Sequence, residues 1–127
     1  MTVGIVDTTV VFHLFRKNPA AIAWYSTLTD KFAVTPITWM EALYGAVSKD
    51  KRERCKDILN QFDMEYILPS DIDWAIEQMQ VYRLSQGIGV NDCFIASVCH
   101  RLNIPIYTDN QKDFLKILPP NLVVKSY

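Results

Sequence analysis

The sequence predicts an α/β fold with a mostly parallel central sheet of four to five strands and helices on both faces. Three observations point there. Val3-Gly4-Ile5-Val6-Asp7 is short and nearly all apolar, as a strand buried on both faces must be. Similar runs alternate along the chain with segments whose apolar residues recur every three or four positions, the pattern of strand–helix–strand units. No internal repeat, linker or low-complexity stretch divides the chain, so residues 1–127 read as one domain.

Taken in order, the first strand ends on Asp7, and Thr8 to Phe15 follows as a short helix or turn with Val11, Phe12 and Phe15 inward. Asn18-Pro19 is a cap followed by proline at the first helical position. The helix behind it carries Ala20, Ala21, Ala23, Trp24 and Leu28. Phe32-Ala33-Val34 is a second strand, and Thr35-Pro36 opens a helix with Ile37, Met40, Glu41, Tyr44 and Val47 at helical spacing. Lys49 to Asp57 is a charged helical stretch whose inner face continues through Cys55, Ile58, Leu59 and Phe62. Met64-Glu65-Tyr66-Ile67 alternates as a third strand.

Ser70, with Asp71 and Asp73, is expected to cap a long helix with Ile72, Ile76 and Met79 facing inward, stopped by Gly87 and Gly89. Asn91 is expected to cap the next helix, Val90 to Leu102, with Ile95, Cys99 and Leu102 on one apolar face. Ile104 to Thr108 is a fourth strand, 109–114 a polar turn, and Leu122-Val123-Val124 a last strand.

Composition sets limits. Half the residues are hydrophobic and the net charge is −1, so the whole molecule carries no basic bias of the kind seen in many nucleic-acid binders. Three cysteines with no Cys-x-x-Cys pair argue against a disulfide framework or zinc knuckle and fit a reducing compartment. No signal peptide is visible, and no uncharged apolar run approaches the roughly 18 residues of a membrane span. A cytoplasmic location is the expectation.

Acids in unusual places carry the chemistry. Asp92 lies on the apolar face of its helix, three residues before Ile95, where a carboxylate must be solvated, paired, protonated or bound to a cation. Asp7 stands at the end of the first strand, and Glu41 on or beside the apolar face of its own helix. In parallel sheets ligands bind outside the C-terminal strand ends. Carboxylates gathered there raise one another's pKa, and a divalent cation removes the conflict. Oxygen donors without histidine or cysteine favour Mg²⁺ or Mn²⁺ over zinc, and such ions are commonly completed by a phosphate. Phosphodiester chemistry follows as the reading. Each acid also has a plainer reading. Asp92 suits the positive end of a helix, Asp7 a turn, and Thr38-Trp39-Met40-Glu41 a capping box in which Glu41 reaches back to the Thr38 amide.

The blocks Ile5-Val6-Asp7-Thr8-Thr9-Val10-Val11, Thr38 to Gly45, Asn91 to Ala96 and Tyr107 to Phe114 resemble, in order and spacing, the four acidic motifs of PIN-domain ribonucleases, nearest to the VapC type of bacterial toxin–antitoxin pairs. The resemblance covers essentially the whole chain. It implies an α/β/α sandwich, Mg²⁺- or Mn²⁺-dependent endoribonuclease activity on an RNA substrate, a homodimer, and a small antitoxin that blocks the site. Carried over by position, Asp7, Glu41 and Asp92 become metal ligands, and with Asp113 the catalytic acids. Thr8, Thr108 and Asn110 become their supports. Asn110 stands where other branches of the family carry Asp, leaving open whether it or Asp113 makes the fourth contact. Thr9 stands where Ser or Asn is commoner.

The RNA surface is less legible. Lys49, Lys51, Arg52, Arg54 and Lys56 are interleaved with acids and read as a solvated helix face. Arg16 and Lys17 could flank the site, and Trp24, Trp39 and Tyr44 read as core residues rather than base-stacking ones. His13 and His100 have no nucleophile arranged with them. A catalytically silent PIN-like module that binds RNA or protein is the alternative. A phosphoryl-transfer or receiver domain is disfavoured, because no second acid follows Asp7 at the required spacing.

Overall fold

A computed structural model describes residues 1–127. Five parallel strands form one sheet in the order β3-β2-β1-β4-β5. They are β1 (Thr2–Val6), β2 (Lys31–Val34), β3 (Asp63–Met64), β4 (Ile106–Thr108) and β5 (Val123–Lys125). The helices are α1 (Thr8–Phe15), α2 (Pro19–Ser26), α3 (Pro36–Gly45), α4 (Lys49–Leu59), α5 (Pro69–Gln86), α6 (Val90–Leu102) and the single turn α7 (Gln111–Phe114).

The strand period of two divides the core into the two outer spaces of a three-layer sandwich. Ile5, Ala33, Ile106 and Val123 pack with Ile95, Ala96, Val98 and Cys99 of α6 and with Phe114. Their neighbours Val6, Phe32 and Val34 pack on the other side with Val10 and Val11 of α1, Ala42 of α3 and Leu59 of α4. The three-layer expectation is met, with a sheet that is wholly parallel.

Gly4 shows how tightly β1 is enclosed. A Cβ there would lie 2.5 Å from Tyr107 Cε1. Tyr107 cannot turn away, because Phe32 stands edge-on at 5.0 Å and Trp24 lies at 6.0 Å.

Several local expectations are corrected. The cap of α6 is Gly89, not Asn91. Gly87, left-handed at φ 68°, ends α5, and the buried Ile88 anchors a link so short that the chain re-enters helix at Val90, one residue before Asn91. Ser70 is not the cap of α5 either. Pro69 takes the first helical position, and Asp71 Oδ2 accepts the Leu68 amide at 2.9 Å.

The face of α5 is rotated from the expected one. Asp71 and Ala75 are buried, Trp74 packs on the core, and Ile72 and Ile76 are exposed. An ion pair causes this. Arg101 Nε of α6 donates to Asp71 Oδ1 and Oδ2 at 2.9 and 3.0 Å, and Asp71 is 2% exposed. Trp74 stacks on His100 at 4.7 Å beside it. The third strand lies at Asp63–Met64, sharing only Met64 with the expected Met64–Ile67, the fourth contracts to Ile106–Thr108, and the polar turn contains α7.

Two stability measurements check this packing. Gly4→Ala should cost roughly 1–3 kcal/mol by overpacking against a ring that cannot retreat, read as a lower urea midpoint. Arg101→Met should cost about 3 kcal/mol, because it leaves the buried Asp71 carboxylate uncompensated. A midpoint unchanged in Arg101→Met would show that Asp71 is solvated instead.

Candidate active site

The site lies where β1 and β4 end side by side. Asp7 leaves β1 in extended conformation and caps α1, its Oδ1 accepting the Thr8 amide at 2.8 Å. Its Oδ2 accepts the Thr9 hydroxyl at 2.8 Å and the Thr108 hydroxyl of β4 at 2.8 Å. Asp7 is 3% exposed, and burial raises its pKa despite these three bonds, with the charge of Glu41 adding to the rise.

Glu41 reaches the same place from α3. Its Oε1 accepts the Thr8 hydroxyl at 2.7 Å, and Thr38 Oγ1 lies 3.0 Å from that hydroxyl. Thr8 therefore touches both acids, Asp7 through its amide and Glu41 through its side chain. No capping box forms. The cap of α3 is Thr35, which places Thr38 inside the helix and Glu41 beyond its first turn.

Asp92 comes from the first turn of α6. Burial raises its pKa to about 6, the charges of Asp7, Asp113 and Glu41 add to the rise, and Lys116 opposes it. No hydrogen bond within the protein relieves this carboxylate.

Asp113 behaves differently. Its Oδ2 accepts Asn110 Nδ2 at 2.6 Å and its Oδ1 accepts Lys116 Nζ at 3.0 Å, contacts that hold its pKa below the usual range. The Asn110 amide in turn donates to Thr108 Oγ1 at 2.8 Å. Asp92 thus feels the charge of the other three acids, although no three of them form a closed ligand cluster. The donors are all hard oxygens, and the Asp92 carboxylate is unpartnered, a set suited to Mg²⁺ or Mn²⁺ held by one or two carboxylates with water.

Thr38, read as the start of a capping box, instead turns its hydroxyl to Thr8 from inside the helix. Lys116 has no signature in the sequence, where a lysine three after Asp113 reads as an ordinary helical pair. Tyr44 is corrected from core to surface, with 91% exposure, whereas Trp24 and Trp39 do pack on the core. With Phe12, Ile37, Met40, Gly45 and Asn91 it lines a cleft of about 570 Å³ that opens onto Glu41. The basic residues of α4 are largely engaged locally: Arg52 Nε donates to the Ala46 carbonyl, Arg54 lies over the Phe15 ring, and Lys56 pairs with Glu53.

An all-parallel sheet with Asp7 at a strand end and Glu41, Asp92 and Asp113 on neighbouring helices defines an α/β domain with an acidic site, and a family model, PIN domain, matches residues 4–117. The chain belongs to the PIN-domain family. Within it, the VapC type is the near relation. The chain is 31% identical over 121 residues to Ribonuclease VapC of Rickettsia bellii (strain RML369-C), covering 89% of each. Two solved structures share the fold. The toxin–antitoxin complex from Klebsiella pneumoniae aligns at TM-score 0.79 and 24% identity over 98% of each chain. VapBC2 from Rickettsia felis, bound to a DNA fragment from their promoter, aligns at 0.73 and 21% over 96% of each.

The raised pKa of Asp92 has a sign that thermal melting can check. Between the ordinary carboxylate value near 4 and about 6, the folded state binds more protons than the unfolded one, so the metal-free protein loses stability as pH rises through that window. Asp92→Asn should therefore raise the melting temperature of EDTA-treated protein at pH 7.5, with the gain fading toward pH 4. A gain that persists undiminished at pH 4 would contradict the assignment.

Proposed function

We propose that this protein is an Mg²⁺- or Mn²⁺-dependent endoribonuclease that hydrolyses RNA phosphodiester bonds and acts as the toxin of a toxin–antitoxin pair. One observation carries the reading. Asp7, Glu41 and Asp92 repel one another at the C-terminal edge of a parallel sheet, and burial leaves Asp7 and Asp92 reluctant to ionise. A divalent cation relieves that repulsion, and the donor chemistry fits one.

In this reading Asp7 and Asp92 are the principal metal ligands, with Glu41 completing the set directly or through water. The bound ion supplies charge neutralisation at the phosphate and a water more easily deprotonated. The chain's own residues do the positioning. Thr8 and Thr108 hold Asp7 in one orientation, and Thr8 fixes Glu41 Oε1, leaving Oε2 to accept a hydrogen bond from the attacking water. Asp113 supports the site through Asn110 and Thr108 rather than as a free ligand. The whole of residues 1–127 acts as one catalytic domain.

The relatives, solved as toxin–antitoxin complexes, support a small cognate antitoxin as partner, and the cleft beside Glu41, where Met40 and Tyr44 offer apolar contacts, would suit it. The homodimer that the family resemblance implies would cover exposed apolar residues such as Ile72 and Ile76 on α5. The protein works in the cytoplasm, consistent with three free cysteines, all buried.

Cleavage of a mixed total-RNA pool tests the reading. Discrete fragments should appear with Mg²⁺ or Mn²⁺, vanish with EDTA, and fall at least about a hundredfold in rate for Asp92→Asn. Folded, partner-free protein that binds RNA without cutting it would establish the silent module in its place.

A further inference from the structure

A lysine stands against the acidic cluster. The Lys116 side chain is mostly covered, with 19% of it exposed, as a stem lying along the protein with its ammonium turned to the acids would be. Its Nζ is anchored on Asp113 Oδ1 at 3.0 Å, and the other oxygen of that carboxylate is taken by Asn110. Asn110 binds Thr108, and Thr108 binds Asp7, so the ammonium is tied through consecutive contacts to the carboxylate at the centre of the site. It also lies near enough to Asp92 to oppose the surrounding acids there.

A purely structural role accounts poorly for this. An ion pair three residues apart beside a single helical turn contributes little stability. The chemistry of the site does account for it. A phosphodiester backbone is anionic and must approach four carboxylates. A compact ammonium with three donors, anchored beside them, offers the phosphate oxygens a contact.

We propose that Lys116 is a substrate-binding residue, held by Asp113 and Asn110 so that its ammonium contacts a backbone phosphate of the RNA at or next to the scissile bond. The inference rests on the nuclease reading above. It gives Asp113 a function distinct from metal ligation, as the anchor of the Lys116 ammonium.

The test is binding of a labelled single-stranded RNA of mixed sequence, in EDTA and across a salt titration. Lys116→Met should weaken binding about tenfold at low salt. It should also reduce the slope of log affinity against log salt by about 0.7, the loss of one phosphate contact. Lys116→Arg should restore most of both. In the metal-dependent cleavage assay, Lys116→Met should raise KM more than it lowers kcat. Calorimetry with Mn²⁺ alone should show unchanged or tighter binding in Lys116→Met, because a repelling charge is gone.

A structural role predicts a lower melting temperature, weaker Mn²⁺ binding and an unchanged salt slope, and that pattern would overturn the proposal. So would tighter Mn²⁺ binding with RNA affinity intact, which marks a mere counter-charge. Wild-type protein that neither binds nor cuts RNA would bring down the nuclease reading and this inference together. Wild-type cleavage with a matching Lys116→Met variant would bring down the role of Lys116 alone.

Discussion

Everything at this site depends on the Asp7 carboxylate being buried and hydrogen-bonded. Three donors converge on it from two elements: the Thr8 amide and Thr9 hydroxyl at the start of α1, and the Thr108 hydroxyl at the end of β4. They join the first helix to a strand a hundred residues away in sequence. They also leave the charge incompletely compensated, since burial still outweighs them. A carboxylate oriented this firmly and solvated this poorly is the feature on which the proposed metal site rests.

The second acid is positioned from the far end of its helix. Asp92 sits in the first turn of α6, and Arg101 in the last. The Arg101–Asp71 pair docks the end of α6 on the start of α5, and Arg101 also donates to the Tyr66 carbonyl. A rigid helix then carries that registration about 14 Å along its axis to Asp92. The polar clamp and the reactive end are separated, so each can be enclosed in its own way: the clamp fully paired, the acid left without a partner.

How much was legible follows from what each feature requires. The apolar run ending on Asp7 and the helix beginning near Asp92 are local patterns, and both elements formed where the pattern placed them. On α5 the stripe Ile72, Ile76 and Met79 holds only at Met79, which packs inward, whereas Ile72 and Ile76 are exposed and the buried face begins at Asp71, an acid that looks suited to solvent until Arg101 meets it. The role of Thr38, which the sequence offers as a capping-box residue, and that of Lys116 are hidden for a similar reason. A hydroxyl or an ammonium acquires meaning only from the group it faces.

The sequence by itself determined the α/β class, the order of strands and helices, and the acids that end or begin them. Those rest on periodicity and spacing, which are properties of neighbouring residues. Tertiary structure decided the rest. It brought Asp7 and Thr108 together across parallel strands, hung Glu41 on Thr8, left Asp92 unpartnered, and engaged both oxygens of Asp113. Each of these depends on the burial and the partner of a polar group, and neither exists until the chain has folded.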